Sequence, residues 1–403
     1  MRNIYGGGNL GSVGKGNYAV GTDDYNYNSA NGYGEKISGK LWEISKDSEN
    51  NDVKDNAWHF MNSGKATVNV TGGKVGYMVT SGTRVYASPE ATEYTTTDET
   101  TKKYYTKVCE KDDLPTGNVF GGCRGQSATE KAAPTFMENP DFFLGYVNQT
   151  EVNIGDATAT TGPLILGSVY GGGQDGHVRR GTDVTIYKGE IGIPYNAKYQ
   201  AIFGNKLKDD KGKENIHWLH RGNVYGAGSG IGKYETGEKD SNNKDIEKYS
   251  SSSGSVTHYT NVTVKSGITG DAGSTDNTTS DYTPGNVIYR NVYGGGSLAS
   301  VGPPVLVANM DVASKEQSLC SVTIDGAVGI TDESVYVKDY GGEVYGASRG
   351  EVLDPAEYTN FADFAAVVWS KVLVKKHADV MSNVFGGGDA GIVKKDSEVI
   401  VGE

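Results

Sequence analysis

The feature that most constrains this 403-residue chain is a short motif in which an apolar residue and an aromatic lead into glycines. It appears as Asn3-Ile4-Tyr5-Gly6-Gly7-Gly8, Asn118-Val119-Phe120-Gly121-Gly122, Ser168-Val169-Tyr170-Gly171-Gly172-Gly173 and Asn223-Val224-Tyr225-Gly226-Ala227-Gly228. Asn291-Val292-Tyr293-Gly294-Gly295-Gly296, Glu343-Val344-Tyr345-Gly346-Ala347 and Asn383-Val384-Phe385-Gly386-Gly387-Gly388 bring the total to seven copies. Self-similarity of this kind is the signature of a chain built from stacked units.

A second motif follows each copy, with β-branched residues alternating with small polar ones. It reads Thr67-Val68-Asn69-Val70, Glu151-Val152-Asn153-Ile154, Asp183-Val184-Thr185-Ile186, Asn261-Val262-Thr263-Val264, Ser321-Val322-Thr323-Ile324, Lys371-Val372-Leu373-Val374 and Glu398-Val399-Ile400-Val401. Period-two alternation marks a strand with one buried face. Each unit therefore reads as strand, glycine corner, connection, strand. The composition agrees, because 58 glycines and 26 tyrosines against 10 prolines suit short strands broken by tight turns.

The aromatic positions are separated by 115, 50, 55, 68, 52 and 40 residues. Fixed motifs with variable spacers predict an all-β fold of the β-solenoid kind, parallel β-helix-like, with irregular loop insertions. The alternative is a seven-bladed β-propeller, which needs four strands per blade and fairly uniform blades. Residues 383–403 offer two strands only. The chain reads as a single elongated domain, 1–403, with units beginning near 3, 118, 168, 223, 291, 343 and 383. The insertions include 17–64, 87–116, 126–147, 234–257 and 303–317, where recognition would sit. Residues 355–368, opened by Asp354 and Pro355 with Phe361, Phe364 and Val368 near one face, read as a short helix.

A net charge of -12 leaves no basic surface for a phosphate backbone, so nucleic acid is not an expected partner. No window approaches the apolar length of a membrane span. The sequence opens on a motif without a signal peptide and closes on an inward-patterned strand, so a segment of a larger protein is expected.

Motifs that carry chemistry elsewhere have plain readings here. Gly6-Gly7-Gly8-Asn9-Leu10-Gly11 fits a dinucleotide fingerprint, as do the segments opening at Gly171 and Gly386, but a Val-rich strand follows where that site needs a helix. Gly173-Gln174-Asp175-Gly176 and Gly386-Gly387-Gly388-Asp389 lack the tandem nonapeptide spacing of calcium β-rolls. Asp52 with Asp55, and Asp209 with Asp210, are loop acids of the solvated kind. His217 and His220 flank Trp218-Leu219 without a third ligand, and His59, His177, His258 and His377 are isolated. Cys109, Cys123 and Cys320 are too few for a disulfide framework. A Cys109–Cys123 bridge stays open, and Cys320 shares the inward face of Val322 and Ile324. The outward strand positions Asn69, Asn153, Thr185, Thr263 and Thr323 suit hydrogen-bonded ladders better than acid–base chemistry. No catalytic, cofactor-binding or metal-ligating residue is assigned.

The tandem Val-Tyr-Gly-Gly-Gly strands, each followed by a Val-x-Ile strand, resemble the repeats of very large bacterial cell-surface proteins of the adhesin type with β-helical stalks. That resemblance implies an extracellular, surface-displayed structural and adhesive protein. Its strands would be scaffold and its loops a binding surface for a host or environmental glycan or protein, with self-association into a fibre as the other partner. The alternatives are a phage tail fibre or tailspike and an extracellular polysaccharide-acting β-helix enzyme, whose paired carboxylates would lie on neighbouring coils.

Overall fold

The computed structural model describes residues 3–13, 48–49, 64–76, 93–94, 104–105, 117–125, 145–192, 221–249, 253–265, 286–302, 318–329, 341–352 and 364–402. Those residues are all-β, without a helix, and most of their strand pairing is parallel.

The seven copies of the first motif form one seven-stranded sheet in chain order, from Ile4–Tyr5 to Val384–Phe385. Equivalent residues face one another at every step, as in Ile4 with Val119, Val224 with Val292 and Tyr345 with Phe385. The second motif forms another seven-stranded parallel sheet, again in chain order. Its strands are Lys65–Val70, Tyr146–Ile154, His177–Ile186, Tyr259–Val264, Leu319–Ile324, Trp369–Val374 and Ser397–Val401. A third, four-stranded sheet joins Lys74–Val75, Leu164–Ile165, Gly189–Ile191 and Asn286–Ile288. In these three sheets strands pair across copies rather than within one, and among the described residues no closed barrel or propeller forms.

Alternation explains the core. In each first-motif strand the aliphatic residue points to one face and the aromatic to the other. Val119, Val169, Val224, Val292 and Val344 meet Val152, Val184, Val262 and Val322 of the second sheet in one continuous core. Each such side chain contributes about 1.5–3 kcal/mol by leaving water. On the opposite face the aromatics stack ring on ring. Centroid separations run from 4.7 to 5.0 Å from Tyr5 through Phe120, Tyr170, Tyr225, Tyr293 and Tyr345 to Phe385, with interplanar angles of 4–15°. These distances match the spacing of adjacent strands, about 4.8 Å. Sheet register therefore brings the rings into contact without further adjustment.

The residue before each aliphatic has its own role. Asn3 Oδ1 accepts the Asn118 N–H at 3.0 Å, Asn118 Oδ1 accepts that of Ser168 at 2.7 Å, and Ser168 Oγ accepts that of Asn223 at 3.1 Å. Asn223 and Asn291 continue the ladder to Asn291 and Glu343. Their amides also donate to the Tyr225 and Tyr293 hydroxyls at 3.1 Å, which holds buried phenols in place.

The first glycine of the motif is dictated by sterics. A β-carbon on Gly6, Gly121, Gly171, Gly226, Gly294 or Gly346 would overlap the carbonyl oxygen of the equivalent glycine one copy on, well under 3.0 Å away. Four of these corner carbonyls are hydrogen-bonded from the second sheet. Thr150, Thr182, Thr260 and Ser370 donate their hydroxyls to Gly171, Gly226, Gly294 and Gly386 at 2.5–2.6 Å.

Several sequence expectations need correction. Of the helix expected over 355–368, residues 364–368 belong to a turn and a strand. Ala365 has φ 50°, and Ala366–Val367 pairs in parallel with Ile392–Val393. Val367 joins a row with Val178, Val256 and Val301, so packing of a β-branched residue overrides the helical spacing. The remainder of that segment, before 364, lies outside the described residues. The insertion expected over 126–147 ends earlier, because the strand begins at Tyr146. That expected over 234–257 contains an antiparallel hairpin, Lys233–Lys239 with Asp245–Tyr249. Ile231 and Tyr249 pack on the aromatic row beneath it.

Replacing Gly226 by alanine should lower stability by about 2–4 kcal/mol, the cost of forcing two strands apart at a backbone contact. Denaturant unfolding followed by tyrosine fluorescence measures it. A midpoint equal to the parent chain's would remove the steric account of the motif.

Candidate functional site

The surface with organised polar chemistry is the outward face of the second sheet. Register places three columns on it. One runs through Asn69, Asn153, Thr185, Thr263 and Thr323 and ends on Leu373 and Ile400. These include all five outward residues picked from the sequence, brought into line. The next column runs Thr67, Glu151, Asp183, Asn261, Ser321, Lys371, Glu398. The third holds Gln149, Gly181, Tyr259, Leu319 and Trp369.

Glu151 and Asp183 therefore stand opposite one another on adjacent strands. Their motif copies are contiguous, but only register reveals the pairing. Each carboxylate is already engaged. Asp183 accepts from Asn261 Nδ2 at 2.8 Å on one oxygen and from Gln149 Nε2 at 3.2 Å on the other. Glu151 accepts from Asn153 Nδ2 at 3.0 Å and forms an ion pair with Lys65. The hydrogen bond from Lys65, then that from Asn153, holds the Glu151 carboxyl below the ordinary carboxylate range. The Tyr259 ring lies over Gly181, where a β-carbon would overlap it, and its hydroxyl accepts from Gln149 at 3.1 Å. Burial, then the Asp183 charge, raises that phenol.

A glycosidase pair needs one carboxyl that keeps its proton near neutrality and reaches substrate. Glu151 has the opposite bias. The carboxyl shifted toward neutrality is Asp175, pushed up to about 6 by burial. It is 5 % exposed, sits in the glycine corner, and accepts the Gly232 N–H at 3.2 Å and the Gln174 amide at 3.4 Å. Gln174 in turn accepts the Tyr5 hydroxyl at 2.6 Å. This acid ties three copies together beneath the surface.

The fingerprint-like glycines are similarly occupied. The Gly6 and Gly171 amides, which a pyrophosphate would need, donate to Phe120 and Tyr225 carbonyls at 2.9 Å. Among the described residues no three His, Cys, Asp or Glu side chains converge as a metal site. His177 makes a 3.1 Å contact through Nδ1 with Ser255 Oγ, but both residues are 3 % exposed, and the ring rests against Tyr146. No sequence signal gave this buried pair, whose members lie 78 residues apart. His258 is also buried, and His377 pairs with Asp325 at 3.3 Å. Cys123 and Cys320 are free, buried thiols, both raised by burial, Cys123 to about 11 and Cys320 to about 12. Cys109, Asp52, Asp55, Asp209, Asp210, His59, His217 and His220 lie outside the described residues.

Two buried titrating groups set opposite pH trends. Asp175 binds its proton more tightly folded, near 6, than at its ordinary 3.8, so its stabilisation is lost as pH rises through 6. Burial, then the Arg180 charge, lowers His258 from 6.5 to about 4, so stability is lost as pH falls below 6.5 toward 4. Each is worth on the order of 3 kcal/mol. The contributions of these two groups should therefore largely offset one another between about pH 4 and 6. Asp175→Asn should leave a stability that rises with pH across that window, and His258→Gln one that falls. Parallel profiles for the two variants would rule out this assignment.

Comparison with family models, curated proteins and solved structures returned no match.

Proposed function

We propose that this chain is a β-solenoid segment of an extracellular bacterial surface protein of the adhesin type, a structural element that carries binding loops. The carrying observation is the in-register parallel pairing of all seven copies of both motifs, in chain order, in two separate sheets. Pairing of that kind stacks one rung per copy and lets connections of any length leave between rungs. Rungs advance by about 4.8 Å each, so seven of them make a column roughly 30 Å high.

The outward ladder supports scaffold over catalyst, because its carboxylates are spent on neighbouring strands. Among the described residues no helix is long and apolar enough to cross a membrane. Recognition falls to the connections, of which the hairpin Lys233–Lys239 with Asp245–Tyr249 is a folded example. Its turn, Asp240 to Lys244, is closed by Asp240 Oδ1 accepting the Asn242 and Lys244 amides at 2.8 and 2.9 Å. The partner on this reading is a glycan or protein surface. The polysaccharide-acting enzyme is the competing reading, and the Glu151–Asp183 juxtaposition is what it would rest on.

One experiment separates them. The whole chain is applied to arrays of bacterial and host glycans and matrix proteins, and the same polysaccharides are assayed for new reducing ends. Retention without cleavage, unchanged in Glu151→Gln with Asp183→Asn, is the expected result. Cleavage abolished by those substitutions would establish the enzyme instead.

A further inference from the structure

A β-bulge gathers polar side chains that the outward ladder does not use. In the strand His177–Ile186 the register shifts between Val178 and Gly181, which need one residue more than their partners Val147 and Gln149. The extra residue falls at Arg179-Arg180, and bulges of this kind re-aim side chains beside functional sites. The following copy keeps the longer spacing, with Val256 opposite Val178 and Tyr259 opposite Gly181, so His258 stands opposite Arg180. One copy further, Thr260 pairs with Cys320, and two residues back from that pair lie His258 and Ser318. Arg180, His258 and Ser318 thus share one column, with about 4.8 Å between successive strands. Buried Asn148 precedes them, and Val368, two residues before Ser370, ends the column on an apolar side chain.

The middle of this column carries unmet polar atoms. His258 is 9 % and Ser318 0 % exposed, and among the described residues both His258 ring nitrogens and the Ser318 hydroxyl have no hydrogen-bond partner. Buried polar atoms in native proteins are almost all satisfied, so such a cluster calls for an occupant. Arg180 is half-buried, which opens the column to solvent at that strand.

Charge decides what the occupant is. Burial, then the Arg180 charge, lowers His258 to about 4, so the ring is neutral at neutral pH beside a fixed positive charge. A cation is repelled there. The neighbouring charged groups have other contacts: the Arg179 guanidinium lies 3.8 Å over the Tyr146 ring, and Asp183 accepts from Asn261 and Gln149. We infer that Arg180, His258 and Ser318 bind a compact oxyanion, a carboxylate or sulfate, borne by an acidic polysaccharide or free in solution. Such a group accepts from a guanidinium, a hydroxyl and an imidazole N–H together, and the guanidinium bond is charge-assisted. The site belongs to the stack itself and is independent of the surface-protein reading.

Calorimetric titration of the whole chain in chloride-free buffer with sodium sulfate, galacturonate, an oligogalacturonate and neutral galactose tests this. Saturable binding of at least one anion, without binding of galactose, is the expected result. An anion beside His258 raises its pKa, so binding should take up protons near pH 5, seen as heats that vary with the ionisation enthalpy of the buffer. His258→Gln should abolish that uptake. Ser318→Ala, which only removes an unmet hydroxyl, should weaken binding roughly tenfold with an unchanged circular dichroism spectrum. Preference for the oligomer over the monomer identifies a polysaccharide as the source, and binding of sulfate alone a free ion; either supports the site. Equal binding of galactose, affinities unmoved in both variants, or no saturable anion binding, which would leave water as the occupant, overturns the inference.

Discussion

Every other regularity in this fold depends on how closely one glycine corner lies on the next. A motif glycine sits so near the following copy's carbonyl that a single added carbon overlaps it. With the strands held at hydrogen-bonding distance, aromatics one residue earlier must stack face to face, and valines two residues earlier must form a continuous row. Buried carbonyls at the corner also need donors, since an unmet acceptor costs about 1–3 kcal/mol. That requirement explains hydroxyls at Thr150, Thr182, Thr260 and Ser370 on a face otherwise aliphatic.

Cys320 occupies the same column, between Thr260 and Ser370 in register. Its neighbours show that the site selects size first, because threonine, serine and cysteine all fit beside the glycine. At the first rung Ala66 holds the position. The column accepts any small side chain, and hydroxyls are used where they can reach a carbonyl.

Most of the strand content was legible because period-two alternation needs only local sequence. The second seven-strand set, the inward place of Cys320 and the outward row from Asn69 to Thr323 follow from parity, while the two-residue strands of the first set follow from the repetition of their motif. What escaped depends on contacts between distant copies. Two-residue strands such as Leu164–Ile165 and Ala327–Val328 have no period to detect. Thr150 shares the inward parity of Val152 and Ile154, but the carbonyl its hydroxyl serves belongs to Gly171 of another copy. The opposition of Glu151 and Asp183 requires knowing which strand lies beside which. Residues 364–368 misled because the apolar spacing of a helix and the start of a buried strand look alike over so short a stretch.

In-register parallel pairing makes each copy of the motif meet the next through the same groups. A strand edge in such a sheet alternates amides and carbonyls, and at the corner the amides of one copy reach the carbonyls of the next, as Val344 N–H reaches the Asn383 carbonyl at 3.0 Å. Each copy therefore gives the one before it acceptors for its backbone amides, a flat ring for stacking and a corner without side chains. Those three provisions reside in the motif itself, and the connecting segments are left free to differ.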